Sequence, residues 1–352
     1  GAKINNAQGR KGVRGMSSTH QGQPLIIVTG ADDNFAMGVA VTLYSALANL
    51  GSDRKVALYI VDDGISERNK RKIAEVLKIG QAIVHFEWLN PNLAVLGNVA
   101  TTEWHSRATY LRLLLPSLLP EHMDRAIYLD SDLVIEGDLG HLWDEDVDDY
   151  AALGVQDYSF PYAYSRTELY PVYQKLHLDR NTPYVNAGVL VINLTWWRRE
   201  KLAPRVLEFV HQFKNEATFL EQDGLNAIIA GRWGLLDPRW NINLYNLNIY
   251  GHLFDMSVAA MQQARSDFMR RPLILHYTGQ HKPWHFLYIK PGAPRWFYYL
   301  RRSGWFSPVT YAVWSLPRRL VHTLFQAFPR GFLRRLGRLR KSAKNRLANV
   351  RA

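Results

Sequence analysis

A chain of 352 residues with 47% apolar and 21% charged content can bury a large core and is too apolar to be disordered. It has no cysteine, which excludes disulfides and thiolate metal sites and suits a reducing compartment, and it has no apolar run of about 18 residues, which excludes a bilayer-spanning helix. The net charge of +12 would point to nucleic acid if it were evenly spread. It is not: Asp267 is the last acid, residues 296–352 hold thirteen Lys/Arg and no acid, and the rest holds 30 basic and 31 acidic residues. The body is neutral and the basicity belongs to the tail.

Residues 1–23 are polar and basic without an apolar stretch and cleavage pattern, so no secretory signal is expected. Met16 marks residues 1–15 as an expression remnant, set aside from fold reasoning. Residues 24–30 (PLIIVTG) read as a strand buried on both faces. Asp32-Asp33-Asn34 then reads as a turn and cap before a helix over 36–49, with Val39, Leu43, Ala46, Leu47 and Leu50 at helical spacing. A strand over 56–61, a helix over 67–78 and a strand over 82–88 follow. This alternation predicts parallel βαβ units with helices on the sheet faces, and such sheets bind ligands at the carboxyl ends of their strands.

An apolar helix carrying Arg112 is expected over 109–119, before Pro120. A strand over 124–129 delivers Asp130-Ser131-Asp132 at its carboxyl end, and 184–194 (YVNAGVLVINL) is strand-like but interrupted at Asn186-Ala187-Gly188. A helix starts at 221–229, a late strand covers 273–277, and Pro and Gly cluster at 291–294, where the catalytic body is expected to end. The expected domains are a polar tail (1–23), an α/β catalytic domain (24–294) and a basic aromatic tail (295–352).

Two carboxylates spaced i, i+2 beyond a strand end can converge on a hard cation shared with phosphate oxygens. Asp144-Glu145-Asp146 and Asp146-Val147-Asp148 match the same pattern but sit in an acidic stretch that reads as a solvated loop. The first match lies between apolar runs, where two carboxylates without a cation would be costly. Its bland alternative is a turn or cap. A second cluster is LHYTGQHKPW at 275–284. There His276 completes an Asp/Asp/His set suited to Mn²⁺, Gly279 lets backbone approach a phosphate, and Lys282 offers it a point charge. A lone histidine would more often be structural.

Together, ADDN at 31–34, YLDSDLVIEGDL, YVNAGVLVINL, EQDGLN at 221–226 and HYTGQHKPW resemble the retaining glycosyltransferase family 8, over about residues 24–284 and in the expected order. That family includes bacterial lipopolysaccharide galactosyl- and glucosyltransferases and, more distantly, glycogenin. The resemblance implies a GT-A fold, a Rossmann-like, mostly parallel sheet flanked by helices, using UDP-sugars with Mn²⁺, Mg²⁺ being the alternative ion. It implies that Asp130, Asp132 and His276 ligate the metal, with Ser131 between the two acids at the diphosphate. Ala31, Asp32 and Asn34 would line the uridine site, with Phe35 stacking on uracil, and Arg112 would lie near donor sugar and diphosphate. Asp157, Asn186, Glu221, Gln222 and Asp223 would surround the transferred sugar, and Gly279 and Lys282 would hold the departing phosphates. Glu221 stands where the lipopolysaccharide galactosyltransferases tend to have Asp, which leaves galactose and glucose both open. Each site residue also has a plainer role: Asp32, Asn34 and Asp223 as caps, Asn186 at a strand break, Arg112 in a local ion pair.

Retention requires either a covalent nucleophile or same-face departure and attack. Gln222 is placed by analogy beneath the anomeric carbon, but an amide is a poor nucleophile. Same-face attack is therefore expected, with Asp223 or Glu221 as covalent nucleophile the rival. In the tail, aromatics from Trp296 to Trp314 alternate with arginines, then apolar residues from Leu320 to Phe328 and from Phe332 to Leu339 fall on helical faces. This composition suits an anionic membrane. The alternatives are an RNA-binding tail and a helix packed on the body, and nucleic acid is not the expected partner. The expected whole is a cytoplasmic enzyme, peripheral on the inner face of the membrane, moving a hexose from UDP-galactose or UDP-glucose to a saccharide or glycolipid acceptor. The rivals are a self-glucosylating initiator like glycogenin, an inactive transferase core that binds membrane or RNA, and a sugar nucleotidyltransferase. The last would want a basic Gly-rich phosphate loop, and GADDNFAMG has no Lys or Arg.

Overall fold

The computed structural model describes residues 22–79, 81–97, 99, 101, 107–244, 270–285, 288 and 292–327. The β-branched run at the start forms β1 (Leu25–Ala31), buried along its whole length. A single 3₁₀ turn, capped by the Asp32 side chain accepting from the Asn34 N–H, leads into α1 (Ala36–Ala48), ten of whose residues are buried. Then come β2 (Val56–Asp62) and α2 (Glu67–Leu77), capped by Ser66 and burying Ile73, Val76 and Leu77. Next are the edge strand β3 (Ile83–Leu89), a 3₁₀ stretch Arg107–Leu114, the single turn α3 (Leu115–Leu118), and β4 (Arg125–Leu129).

The chain continues through β5 (Leu133–Ile135), α4 (Leu139–Trp143), β6 (Ala152–Gln156), α5 (Tyr170–Lys175), β7 (Val185–Asn193), α6 (Leu194–Arg199), α7 (Leu202–Gln212), α8 (Glu221–Ile228), β8 (Trp233–Leu235), β9 (Ile242–Asn243) and β10 (Ile274–His276). It ends in α9 (Ala293–Arg302) and α10 (Pro308–Ala327). Seven strands make the main sheet in the order β3-β2-β1-β4-β7-β6-β8, and β5-β10-β9 make a small second sheet. Helices cover the main sheet, as the sequence pattern predicts.

Three details differ from the periodicity. The sheet is mixed, because β7 runs antiparallel to both β4 and β6; apolar runs buried on both faces carry no direction of their own. Where the sequence expects a helix over 109–119, the backbone is 3₁₀ up to Leu114. Pro116 has no N–H to donate to the Arg112 carbonyl, so a continuous α ladder fails there. The strand expected to break at 186–188 runs through instead, and its pairing with β6 jumps from Leu190↔Gly154 to Asn186↔Val155. That bulge re-aims the backbone at the strand's start.

α9 packs against the body. Trp296 and Leu300 are fully buried, Trp296 lies 5.8 Å from Trp284 between ring centroids, and the Asn49 side-chain amide donates to the Tyr299 hydroxyl. The boundary expected at 294/295 falls just inside α9. Along α10, Val309, Val313, Leu316 and Leu320 are exposed at intervals of four, three and four, one stripe of a helix. Among the described residues no helix is long and apolar enough to cross a membrane.

Candidate active site

The carboxyl ends of β1, β4 and β10 and the bulged start of β7 border a cleft of about 1600 Å³. It is lined by every residue that the family resemblance places at the site except Asp223. At its centre, β4 ends and Asp130 and Asp132 follow, while β10 brings in His276 by antiparallel pairing with β5, opposite Leu133. The His276 Nε2 lies 3.2 Å from Asp132 Oδ1 and 3.6 Å from Asp130 Oδ2. A hard cation held at about 2.1 Å puts neighbouring ligands about 3 Å apart, so the three groups fit one ion. Among the described residues these three are the only such metal-ligand group.

A chain of side-chain amides sets the histidine. Asn186 Nδ2 donates to Asp157 Oδ2 at 3.1 Å, and Asn241 Nδ2 donates to Asn186 Oδ1 at 2.9 Å. Asn241 Oδ1 is then left to accept from His276 Nδ1 at 2.9 Å. With Nδ1 carrying the proton, Nε2 turns its lone pair to the carboxylates, the orientation a metal-ligating imidazole needs. Tyr128 donates to Asp130 Oδ1 at 2.9 Å, and the Arg112 guanidinium donates to the same oxygen at 3.0 Å and also to the Ala187 carbonyl. Gly188 is required here, since a Cβ would come within 2.2 Å of His276 Cε1 and 2.8 Å of Asp130 Oδ2. Burial would raise the Asp132 carboxyl, but the Lys282 ammonium, joined by His276 whenever its Nε2 also carries a proton, outweighs it and holds it well below the usual carboxylate range. Lys282 binds Asp132 Oδ2 and the Tyr277 carbonyl, and Gly279 turns the loop before it at a φ of 87°, a conformation that favours glycine.

Towards β1 the cleft is bounded by Ala31, Asp32, Asn34 and Phe35. Phe35 meets Trp284 edge-on at 5.3 Å. Towards β7 and β6 lie Asn186, Asp157, Glu221 and Gln222. The Gln222 amide is fixed at both ends, accepting from the Ala187 N–H at 3.0 Å and donating to the Tyr184 hydroxyl at 3.2 Å. Glu221 is buried, its Oε1 3.6 Å from Arg112, while its Oε2 has no hydrogen-bond partner among the described residues. Burial, only partly offset by Arg112, pushes its carboxyl up to about 7.

Asp223 does not reach the cleft. It is fully buried, bound by both sides of the Arg166 guanidinium at 3.1 Å, by the Tyr184 hydroxyl at 2.6 Å and by the Phe219 N–H at 2.8 Å. Sequence reasoning passed over Arg166 and Asn241, which lie outside the motifs they serve, and also Tyr128, Tyr184 and Gly188, which stand inside YLDSDLVIEGDL and YVNAGVLVINL. The other two D-x-D matches are exposed, with Asp144 paired to Arg54 and Asp148 to Arg125.

A mixed α/β sheet with two strand-end carboxylates and a histidine in one deep cleft defines a glycosyltransferase of the kind that uses a divalent metal and a nucleotide-sugar donor. The chain belongs to glycosyl transferase family 8, whose family model matches residues 26–287. General stress protein A of Bacillus subtilis is 29% identical over 283 residues, 79% of this chain and 94% of that protein. Lipopolysaccharide 1,2-glucosyltransferase of Escherichia coli K12 is 26% identical, covering 82% of this chain and 81% of the other. Among solved structures, galactosyltransferase LgtC in complex with donor and acceptor sugar analogs superposes with a TM-score of 0.67 at 27% identity, covering 82% of this chain and all of that one.

Proposed function

We propose that the protein is a retaining hexosyltransferase. In this reading it moves galactose or glucose from a UDP-sugar to a saccharide or glycolipid acceptor of the lipopolysaccharide type. The observation that carries the proposal is the convergence of Asp130, Asp132 and His276 Nε2 in a cleft with room for nucleotide, sugar and acceptor. These residues would hold Mn²⁺, which when bound stabilises negative charge on the departing diphosphate.

Ala31, Asp32, Asn34 and Phe35 bind the uridine end, and Ser131, Gly279 and Lys282 hold the phosphates. Arg112 adds fixed positive charge where charge develops. Asn186, Asp157 and Glu221 orient the sugar hydroxyls. Gln222, immobilised at both ends of its amide, faces the anomeric carbon and stabilises positive charge there. The engagement of Asp223 with Arg166 supports same-face attack over a nucleophile at that residue.

The exposed stripe on α10 and the thirteen Lys/Arg of residues 296–352 support peripheral association with an anionic membrane surface. Residues 328–352 lie outside the described part. Truncation after residue 327 should reduce co-sedimentation with anionic vesicles, and Val313→Ser together with Leu316→Ser should reduce it further; unchanged sedimentation in both would refute the membrane reading. The transferase reading is tested by product stereochemistry: the anomeric proton of the transferred sugar, followed by NMR, should keep the α configuration of the donor, and a β product would refute it.

A further inference from the structure

Aromatic rings run without a break from the uridine end of the cleft into the tail. Trp284, two residues after Lys282, lines the cleft and meets Phe35 edge-on at 5.3 Å. It also packs on the buried Trp296 of α9, with 5.8 Å between centroids at 40°. Trp314 of α10 closes the series, 6.4 Å from Trp296, 5.9 Å from Phe297 and 5.3 Å from Phe306. Rings at these spacings attract one another beyond the area they bury. α10 therefore has two faces: its exposed stripe looks outward, while Tyr311, Trp314 and Ser315 are partly or fully buried. The Tyr311 hydroxyl donates to the Phe297 carbonyl at 3.3 Å. The turn between α9 and α10 is held from another element, since the Lys72 ammonium of α2 lies 4.6 Å from the Trp305 centroid and 5.3 Å from that of Phe306.

Two further observations connect these rings to the site. Gly38 of α1 leaves room for Trp284, because a Cβ there would come within 2.8 Å of the Trp284 ring tip and 2.2 Å of the Ser131 carbonyl. The ring and the backbone of Asp130-Ser131-Asp132 thus press on one point of α1. Trp296 Nε1 is buried with no hydrogen-bond partner among the described residues. An orphaned donor costs stability that a phenylalanine would not, so stability alone does not explain an indole here. The turn that carries Lys282 closes on itself: the Lys282 N–H donates to His285 Nδ1 at 3.2 Å, and the His285 N–H to the Lys282 carbonyl at 2.9 Å. Trp284 ties this turn to α9.

We propose that Trp296 and Trp314 are positioning residues for the donor site. Acting through Trp284, they brace the turn that carries Lys282, so α9 and the first half of α10 belong to the catalytic machinery. The brace holds Lys282 beside Asp132 and keeps Phe35 and Trp284 edge-on at the uridine end. Without it the turn samples other positions, and the phosphates lose a fixed charge. The catalytic body then extends through Trp314, beyond the Pro and Gly cluster at 291–294. This proposal rests on the transferase reading above for the identity of the ligand that Lys282 meets.

The test replaces Trp314, which is only half-buried, by Ala and by Phe in the full chain. Amide hydrogen exchange of the segment 278–285 needs no ligand, and exchange of β2 reports any general loss of stability. In Trp314→Ala, exchange of the segment should rise about tenfold, roughly the worth of one well-packed aromatic pair, with β2 unchanged. Trp314→Phe should restore it. UDP with Mg²⁺, titrated by calorimetry, should bind Trp314→Ala about tenfold more weakly and Trp314→Phe nearly as the wild type. Unchanged exchange of the segment, an equal rise in β2, or a UDP affinity that stays constant while the segment loosens overturns the brace. A wild type that binds no UDP, with exchange still responding selectively, would sink the donor reading and leave the brace standing.

Discussion

Replacing Glu221 by Gln should make the ligand-free protein more stable, and by an amount that grows with pH. The carboxyl of Glu221 is buried, its Oε2 lacks a hydrogen-bond partner among the described residues, and Arg112 compensates it only at 3.6 Å. Burial moves its pKa from 4.5 to about 7. Between those values the folded protein keeps a proton here that the unfolded chain has released, so stability falls as pH rises. Each pH unit in the window costs about 1.4 kcal/mol. The loss is therefore about 1 kcal/mol at pH 5 and roughly 3 kcal/mol at pH 8. Gln has nearly the same shape and no charge to bury, so the variant escapes this loss, while groups such as Asp132 contribute alike to both proteins. Urea denaturation followed by tryptophan fluorescence, at four pH values from about 5 to 8, gives the difference directly. The advantage of Glu221→Gln should rise by about 2.5 kcal/mol across that range. A difference that stays flat, or shrinks towards pH 8, would refute the assignment of a strained carboxylate at this position.

Gly188→Ala should push His276 off the carboxylates, because the new Cβ would fall 2.2 Å from its ring; Mn²⁺ affinity read by electron paramagnetic resonance should drop about 100-fold, and an unchanged titration would contradict the geometry. Asn241→Ala removes the acceptor that orients the imidazole, and the same titration should show a loss of about 10-fold or more, with the fold intact by circular dichroism. Arg166→Ala leaves Asp223 buried without its cation. Urea melts should show a loss of about 3–5 kcal/mol, and a loss below about 1 kcal/mol would mean that Asp223 takes a proton at little cost.

The sequence carried the first half of the fold well. Apolar runs and helical spacing over residues 24–89 match β1, α1, β2, α2 and β3 to within two residues, because continuous apolar runs mark the strands buried on both faces, β1 and β2, and helical spacing of apolar residues marks α1 and α2. Direction and hydrogen-bond type were less legible. Nothing within the β7 run says that it pairs antiparallel with its neighbours, and the one residue that forbids a helix over 109–119, Pro116, acts through an amide it lacks. In the site, Asp130, Asp132 and His276 were readable because strand ends and turn residues mark them.

The contact that sets the histidine was not readable, since Asn241 and Asn186 are 55 residues apart and meet only in the folded chain. Asp223 shows the limit most clearly. Adjacent to Gln222 in sequence, it points the other way on α8, and its partner Arg166 lies 57 residues earlier. The aromatic tail was legible as amphipathic but not as to which face meets what. Trp296 and Trp305 turn inward, and an apolar stripe on α10 remains outside.

The central claim is that the Asp130, Asp132 and His276 cluster drives departure of a nucleoside diphosphate from a sugar. The most direct measurement is release of UDP from UDP-glucose and UDP-galactose by the full chain, with and without chelation, compared with Asp132→Asn. With at least one of the two donors, release should stop on chelation, return with Mn²⁺, and fall about a thousandfold in the variant, matching the several kcal/mol a bound cation supplies. Release that persists under chelation, or that survives Asp132→Asn undiminished, would contradict the account.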